Sequence, residues 1–121
     1  MVPVVLTELL SDPMIPSRLA ETLSEIPLIE IGPGYWQRAG ALRAKVLAKR
    51  RKARLGDALI AQTCIDGGVP ILTRDRDFRV FAEAAGLNLI LGRINRHTAR
   101  IWLLRFLQPG CAFGQLLRPL A

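Results

Sequence analysis

The chain has 121 residues, half of them apolar, with 17 Lys and Arg against 10 Asp and Glu for a net charge of +7. That length suits one domain with room for an appendage, and the apolar content excludes wholesale disorder. The longest uncharged run, Phe106–Leu117, has 12 residues, well short of the roughly 20 that a membrane helix needs.

The opening run Val2–Leu6 is apolar from the start, with no basic-then-apolar secretory leader. Thr7-Glu8-Leu9-Leu10 reads as part of a short helix, stopped by Ser11-Asp12-Pro13. Pro16-Ser17 opens a second helix over 18–24, and Leu28–Ile31 reads as a short strand ended by Gly32-Pro33-Gly34. A longer helix is expected over 35–49, with Ala39, Leu42 and Val46 on its core stripe. The basic loop Lys49-Arg50-Arg51-Lys52-Ala53-Arg54 follows. Gly56-Asp57 then starts a helix that runs from Ala58 to about Asp66 and is stopped by Gly67-Gly68. Val69–Thr73 reads as a buried parallel strand, Arg74–Phe78 as a loop, Arg79–Ala85 as a helix closed by Gly86, and Leu87–Leu91 as a second buried strand. Helix, strand, helix, strand in that order implies a parallel sheet with a right-handed crossover.

Two cysteines, Cys64 and Cys111, and one histidine, His97, form neither a disulfide framework nor a His/Cys zinc site. A reduced cytoplasmic setting is the default, and any catalysis must rest on carboxylates. Glu8, Asp57 and the pair Asp75/Asp77 are the candidates. Taken singly, each has an ordinary role: a solvated helix residue, a negative charge at a helix N-terminus, or loop aspartates bonding nearby backbone. Taken together they suggest more. Asp75 and Asp77 follow a strand at its carboxyl end, the edge where open α/β sheets bind ligands, and Asp57 starts the helix leading into that strand. Clustered carboxylates repel unless a cation joins them, and oxygen ligands of this kind suit Mg²⁺ or Mn²⁺. A basic chain with such a site points to phosphodiester chemistry.

The segment Arg54–Ala61, then Val69–Thr73, then Arg74-Asp75-Arg76-Asp77-Phe78, resembles the C-terminal half of a PIN domain. It is most similar to the VapC-type toxin ribonucleases of type II toxin–antitoxin systems. Val4–Leu10 resembles the family's glutamate-bearing helix, so the likeness covers about residues 2–91. It implies a three-layer α/β/α sandwich around a central parallel sheet and Mg²⁺- or Mn²⁺-dependent endoribonuclease activity. It also implies Glu8, Asp57 and Asp75 as catalytic metal ligands, Asp77 as an auxiliary ligand, a neighbouring antitoxin as partner, and a homodimer. The domain expectation is a PIN-like unit over 1–92 and a basic extension over 93–121. The family's first strand, which ends in a metal-binding aspartate, has no counterpart after Met1. Either the complete protein extends upstream, or this is a degenerate relative whose gap a partner or second copy fills.

Arg50, Arg51, Lys52 and Arg54, with Arg74 and Arg76 beside the acids, are candidate RNA-backbone contacts; a solvated basic helix end is the plainer alternative. Thr73 holds either a ligand or its own strand, and Tyr35 and Trp36 either stack on bases or pack. Residues 93–121 carry five arginines and no acid. They read as a basic amphipathic helix, as a helix covering exposed core, or as non-native sequence. Two other function classes are open. One is a catalytically inactive PIN-like fragment acting through antitoxin or dimer binding. The other, a phosphoryl-transfer α/β domain, lacks a Gly-rich phosphate loop.

Overall fold

The structure, a computed structural model, describes residues 1–92. The expectations for the tail and for His97 and Cys111 lie outside the described residues. Helix α1 spans Pro3–Leu10, with Pro3 at its first turn where a missing N–H costs nothing. It starts earlier than the sequence pattern indicates, because Pro3–Leu6 belongs to the helix and Val2, Val4 and Val5 pack on the core. Helix α2 spans Ser17–Ser24.

The expected strand over Leu28–Ile31 does not form. The physical reason is the want of a ladder partner: among the described residues the backbone there bonds only Met1, through Ile29 N–H to the Met1 carbonyl at 2.9 Å and the terminal amine to the Pro27 carbonyl. One such contact does not make a sheet.

Helix α3 spans Tyr35–Ala48 and buries Tyr35, Ala39, Leu42 and Val46, the stripe its three-and-four spacing predicts. Helix α4, Leu55–Asp66, is buried on most of its circumference. The two run antiparallel. Arg38 near the start of α3 forms an ion pair with Asp66 at the end of α4, at 2.7 Å from Nη2 and 3.2 Å from Nε. Arg43, further along α3, donates from Nε to the Ala53 carbonyl just before α4, at 2.9 Å. Between these ties the Tyr35 hydroxyl lies 2.8 Å from the Leu59 carbonyl and 3.1 Å from the Thr63 Oγ1. Fully burying a side chain such as Leu42 or Val46 contributes roughly 1.5–3 kcal/mol.

The C-terminus of α3 closes with two reversed backbone bonds, Arg51 N–H to the Val46 carbonyl and Arg50 N–H to the Leu47 carbonyl. This is a Schellman turn, whose penultimate residue must be left-handed. Arg50 takes that position at φ 55°. The other positive-φ residues among those described are Gly34, Gly68 and Gly86. A side chain in the left-handed region costs roughly 1–2 kcal/mol.

Strand β1 (Ile71–Thr73) is followed by a 3₁₀ turn (Arg76–Phe78), helix α5 (Arg79–Ala85) and strand β2 (Leu89–Leu91). The strands pair in parallel with Ile71 opposite Leu89 and Thr73 opposite Leu91. Both are shorter than the apolar runs containing them. Pro70 precedes β1 and has no N–H for a ladder, and the buried Leu87 belongs to the core beyond the ladder. The observed architecture is thus α/β with a small two-stranded parallel sheet. Phe78 and Phe81 pack beneath it at 6.1 Å between ring centroids, in one cluster with Leu42, Val46 and Ala58.

Candidate functional site

Three separated stretches supply the acids. Glu8 is exposed near the end of α1. Asp57 is the third residue of α4, partly buried in its first turn, where the unbonded N–H groups favour negative charge. Asp75 and Asp77 are exposed just past the carboxyl end of β1.

The structure brings Glu8, Asp75 and Asp77 within electrostatic reach of Asp57. The Asp57 carboxyl is held above the usual carboxylate range. Burial is the first cause; the charge of Asp75 is the next, and Asp77 and Glu8 add to it, while Arg54 opposes them. Glu8 comes close because Gly56 has no side chain: a Cβ there would stand 3.3 Å from Glu8 Oε1. The sequence reading treats Gly56 only as a helix start. A small residue directly before an acid was the available signal for this close approach.

Asp75 also has the local role that loop aspartates commonly take. Its Oδ1 accepts from Asp77 N–H at 2.8 Å and starts the 3₁₀ turn. Thr73 Oγ1 accepts from Asp75 N–H at 3.0 Å, so the threonine hydroxyl shapes the loop carrying the acids. These two bonds fix the direction in which the chain leaves β1.

The donor set is wholly carboxylate, which fits a hard divalent cation. Among the described residues, however, no three His, Cys, Asp or Glu side chains close on a single point. Glu8 from α1 and Asp75 and Asp77 from the loop after β1 act on Asp57 of α4 without forming a finished ligand shell among the described residues.

The basic residues lie on the neighbouring rim. Because α3 and α4 are antiparallel, the loop after α3 stands at the Asp57 end of α4. Lys49, Arg50, Arg51, Lys52 and Arg54 are all exposed there. Arg74 and Arg76 are exposed beside Asp75. The α3 aromatics stand apart from this rim. Tyr35 is 1% exposed and belongs to the core, while Trp36, 64% exposed, meets it edge-on at 4.9 Å. Both sit at the start of α3, at the other end of that helix from the basic loop. Cys64 is buried, which pushes its thiol above its ordinary value and away from reactivity.

Among the described residues no helix is long and apolar enough to cross a membrane. The family model described as PIN domain matches residues 7–84, nearly two-thirds of the chain. That span contains Glu8, Asp57, Asp75 and Asp77. No curated protein and no solved structure matches the chain.

Proposed function

Because this chain belongs to the PIN-domain family, whose members are generally nucleases that usually use divalent metals, we propose that it is a metal-dependent endoribonuclease of the VapC type, the toxin of a toxin–antitoxin pair. The observation that carries this reading is the pressure that Asp75, Asp77 and Glu8, carboxylates from two other stretches of chain, exert on the partly buried Asp57. On this reading Glu8, Asp57 and Asp75 would hold Mg²⁺ or Mn²⁺, with Asp77 assisting. When bound there, such a cation would supply Lewis acidity to a phosphate oxygen and make hydroxide available near neutral pH.

The chain's own groups set the stage for that chemistry. The N-terminal turn of α4 tolerates the negative charge of Asp57. The Asp75 Oδ1 bond to Asp77 N–H orders the second pair of acids. Arg50, Arg51, Lys52, Arg54, Arg74 and Arg76 surround the acids with positive charge, and a polyanionic strand approaches an acidic cluster only against such a background.

An antitoxin and a second copy of the chain are the proposed partners. Exposed Leu9, Leu10 and Leu19 in the first two helices, with Met14 between them and Ile26 just after, support a covered surface there. The three-layer sandwich and a cytoplasmic location are part of the same reading.

Cleavage of single-stranded RNA by the purified chain in Mg²⁺, abolished by EDTA and by Asp57→Asn or Asp75→Asn, is the expected result. Full cleavage by both variants overturns it. A second reading, an inactive fragment that binds an antitoxin without cutting RNA, is favoured by the absence of a closed ligand shell among the described residues. Antitoxin capture by a wild-type chain that leaves RNA intact selects it.

A further inference from the structure

We propose that Arg50 is a dedicated RNA-backbone contact, held outward by the strained Schellman turn that ends α3. The inference takes RNA as the ligand from the ribonuclease reading.

The turn itself calls for glycine. Arg50 sits at φ 55° in the position that most readily takes a residue without Cβ, while Gly34, Gly68 and Gly86 fill the other left-handed positions among the described residues. A residue kept in an unfavourable backbone region against a cheaper alternative points to a role for its side chain. That side chain is exposed, and it makes no hydrogen bond or ion pair among the described residues. Nothing within the described fold therefore uses it.

The surroundings give that role its chemistry. Lys49, Arg51 and Lys52 beside it are equally exposed and equally unpaired among the described residues. Four consecutive cations repel one another and would spread apart on a loose loop. This loop is tied down at three points. Arg51 N–H bonds the Val46 carbonyl. The Ala53 side chain is buried in the core cluster. Arg43 Nε grips the Ala53 carbonyl at 2.9 Å. Four exposed cations carried on a tethered backbone at the Asp57 end of α4 suit the repeated negative charges of a nucleic-acid strand.

The test is binding of the full-length chain to a short fluorescein-labelled single-stranded RNA in EDTA, so that no cleavage intervenes, with Tm measured on the same samples. Arg50→Gly is expected to leave Tm unchanged or raise it, since the left-handed strain is removed. It is expected to weaken RNA binding about fivefold at ~0.1 M salt and to reduce the slope of log K against log salt by about 0.7, the share of one phosphate contact on a single strand. Arg50→Lys should keep most of the affinity, and Arg18→Ala, which removes one positive charge from α2, should keep all of it. Unchanged binding in Arg50→Gly overturns the proposal. So does an equal loss in Arg18→Ala, which would make net charge the cause, or a lower Tm in Arg50→Gly. Wild-type chain that binds RNA in EDTA but never cleaves it with Mg²⁺ removes the nuclease reading and leaves this one standing.

Discussion

The acidic cluster makes a thermodynamic prediction whose sign reverses when a cation is added. Asp57 is raised above its ordinary value in the folded chain. A carboxyl raised on folding contributes stability below its unfolded pKa, and that stability is lost as pH rises through the folded value. At neutral pH without a divalent ion, ionised Asp57 therefore weakens the fold, and Asp57→Asn should raise Tm in EDTA. A cation that binds only the folded chain adds about 2.7 kcal/mol at a concentration a hundred times its Kd. For a folded unit the size of Met1–Leu91, each kcal/mol shifts Tm by roughly 4–8 °C. Saturating Mg²⁺ or Mn²⁺ should then raise the wild-type Tm by about 11–22 °C. Asp57→Asn loses a ligand and most of that gain. The variant is more stable than wild type in EDTA and less stable in excess cation. Scanning calorimetry of both proteins with and without the ion reads this crossing directly. A wild-type Tm indifferent to divalent ions, or parallel gains in the two proteins, would refute the idea that these carboxylates form one site.

Two predictions concern the scaffold that presents the acids. The hydroxyls of Tyr35 and Thr63 and the Leu59 carbonyl form a triangle, with Thr63 Oγ1 also 2.9 Å from that carbonyl. Three oxygens share two hydroxyl protons, so only two edges are hydrogen-bonded at once. Tyr35→Phe and Thr63→Val should each cost about 1 kcal/mol, and the double variant about 2, with coupling under about 0.5 kcal/mol by urea unfolding; a coupling energy above 1 kcal/mol would mean the third edge carries its own energy. At the other end of α4, Asp66 lies below its ordinary value because Arg38 hydrogen-bonds it, with Gln62 assisting. Its contribution is present above the ordinary carboxylate range and disappears as pH falls through the folded value. Asp66→Asn should therefore lower Tm at neutral pH, and the two melting curves should converge on acidification. A gap that persists at low pH would trace the loss to packing.

What was legible in the sequence follows how local each signal is. The α3 stripe Ala39, Leu42 and Val46 faces the core as its spacing requires, because periodicity and burial express the same geometry. The pairing of β1 with β2 in parallel follows from a helical crossover between two apolar runs. The segment Leu28–Ile31 has a strand's composition, but a strand is a relation between two segments, and among the described residues its backbone bonds no strand, only Met1. Composition reports what a segment tolerates; the sheet depends on what is placed next to it.

The site divides along the same line. Asp75 and Asp77 are proposed from their place after an apolar run and Asp57 from its place at a helix start, since each can be read within a short window. The role of Gly56 cannot be read that way, because its missing Cβ matters only where α1 brings Glu8 against α4. Arg43 likewise belongs, by sequence, to a run of basic residues. Its grip on the Ala53 carbonyl separates it from the free cations that follow. One stretch of similar charge thus holds two kinds of residue: Arg43 shapes the loop, and Lys49–Lys52 are presented by it. Removing the first should alter where the positive charge lies, whereas removing any of the others should alter only how much there is. That difference follows from a single hydrogen bond and does not appear in the pattern of charges along the chain.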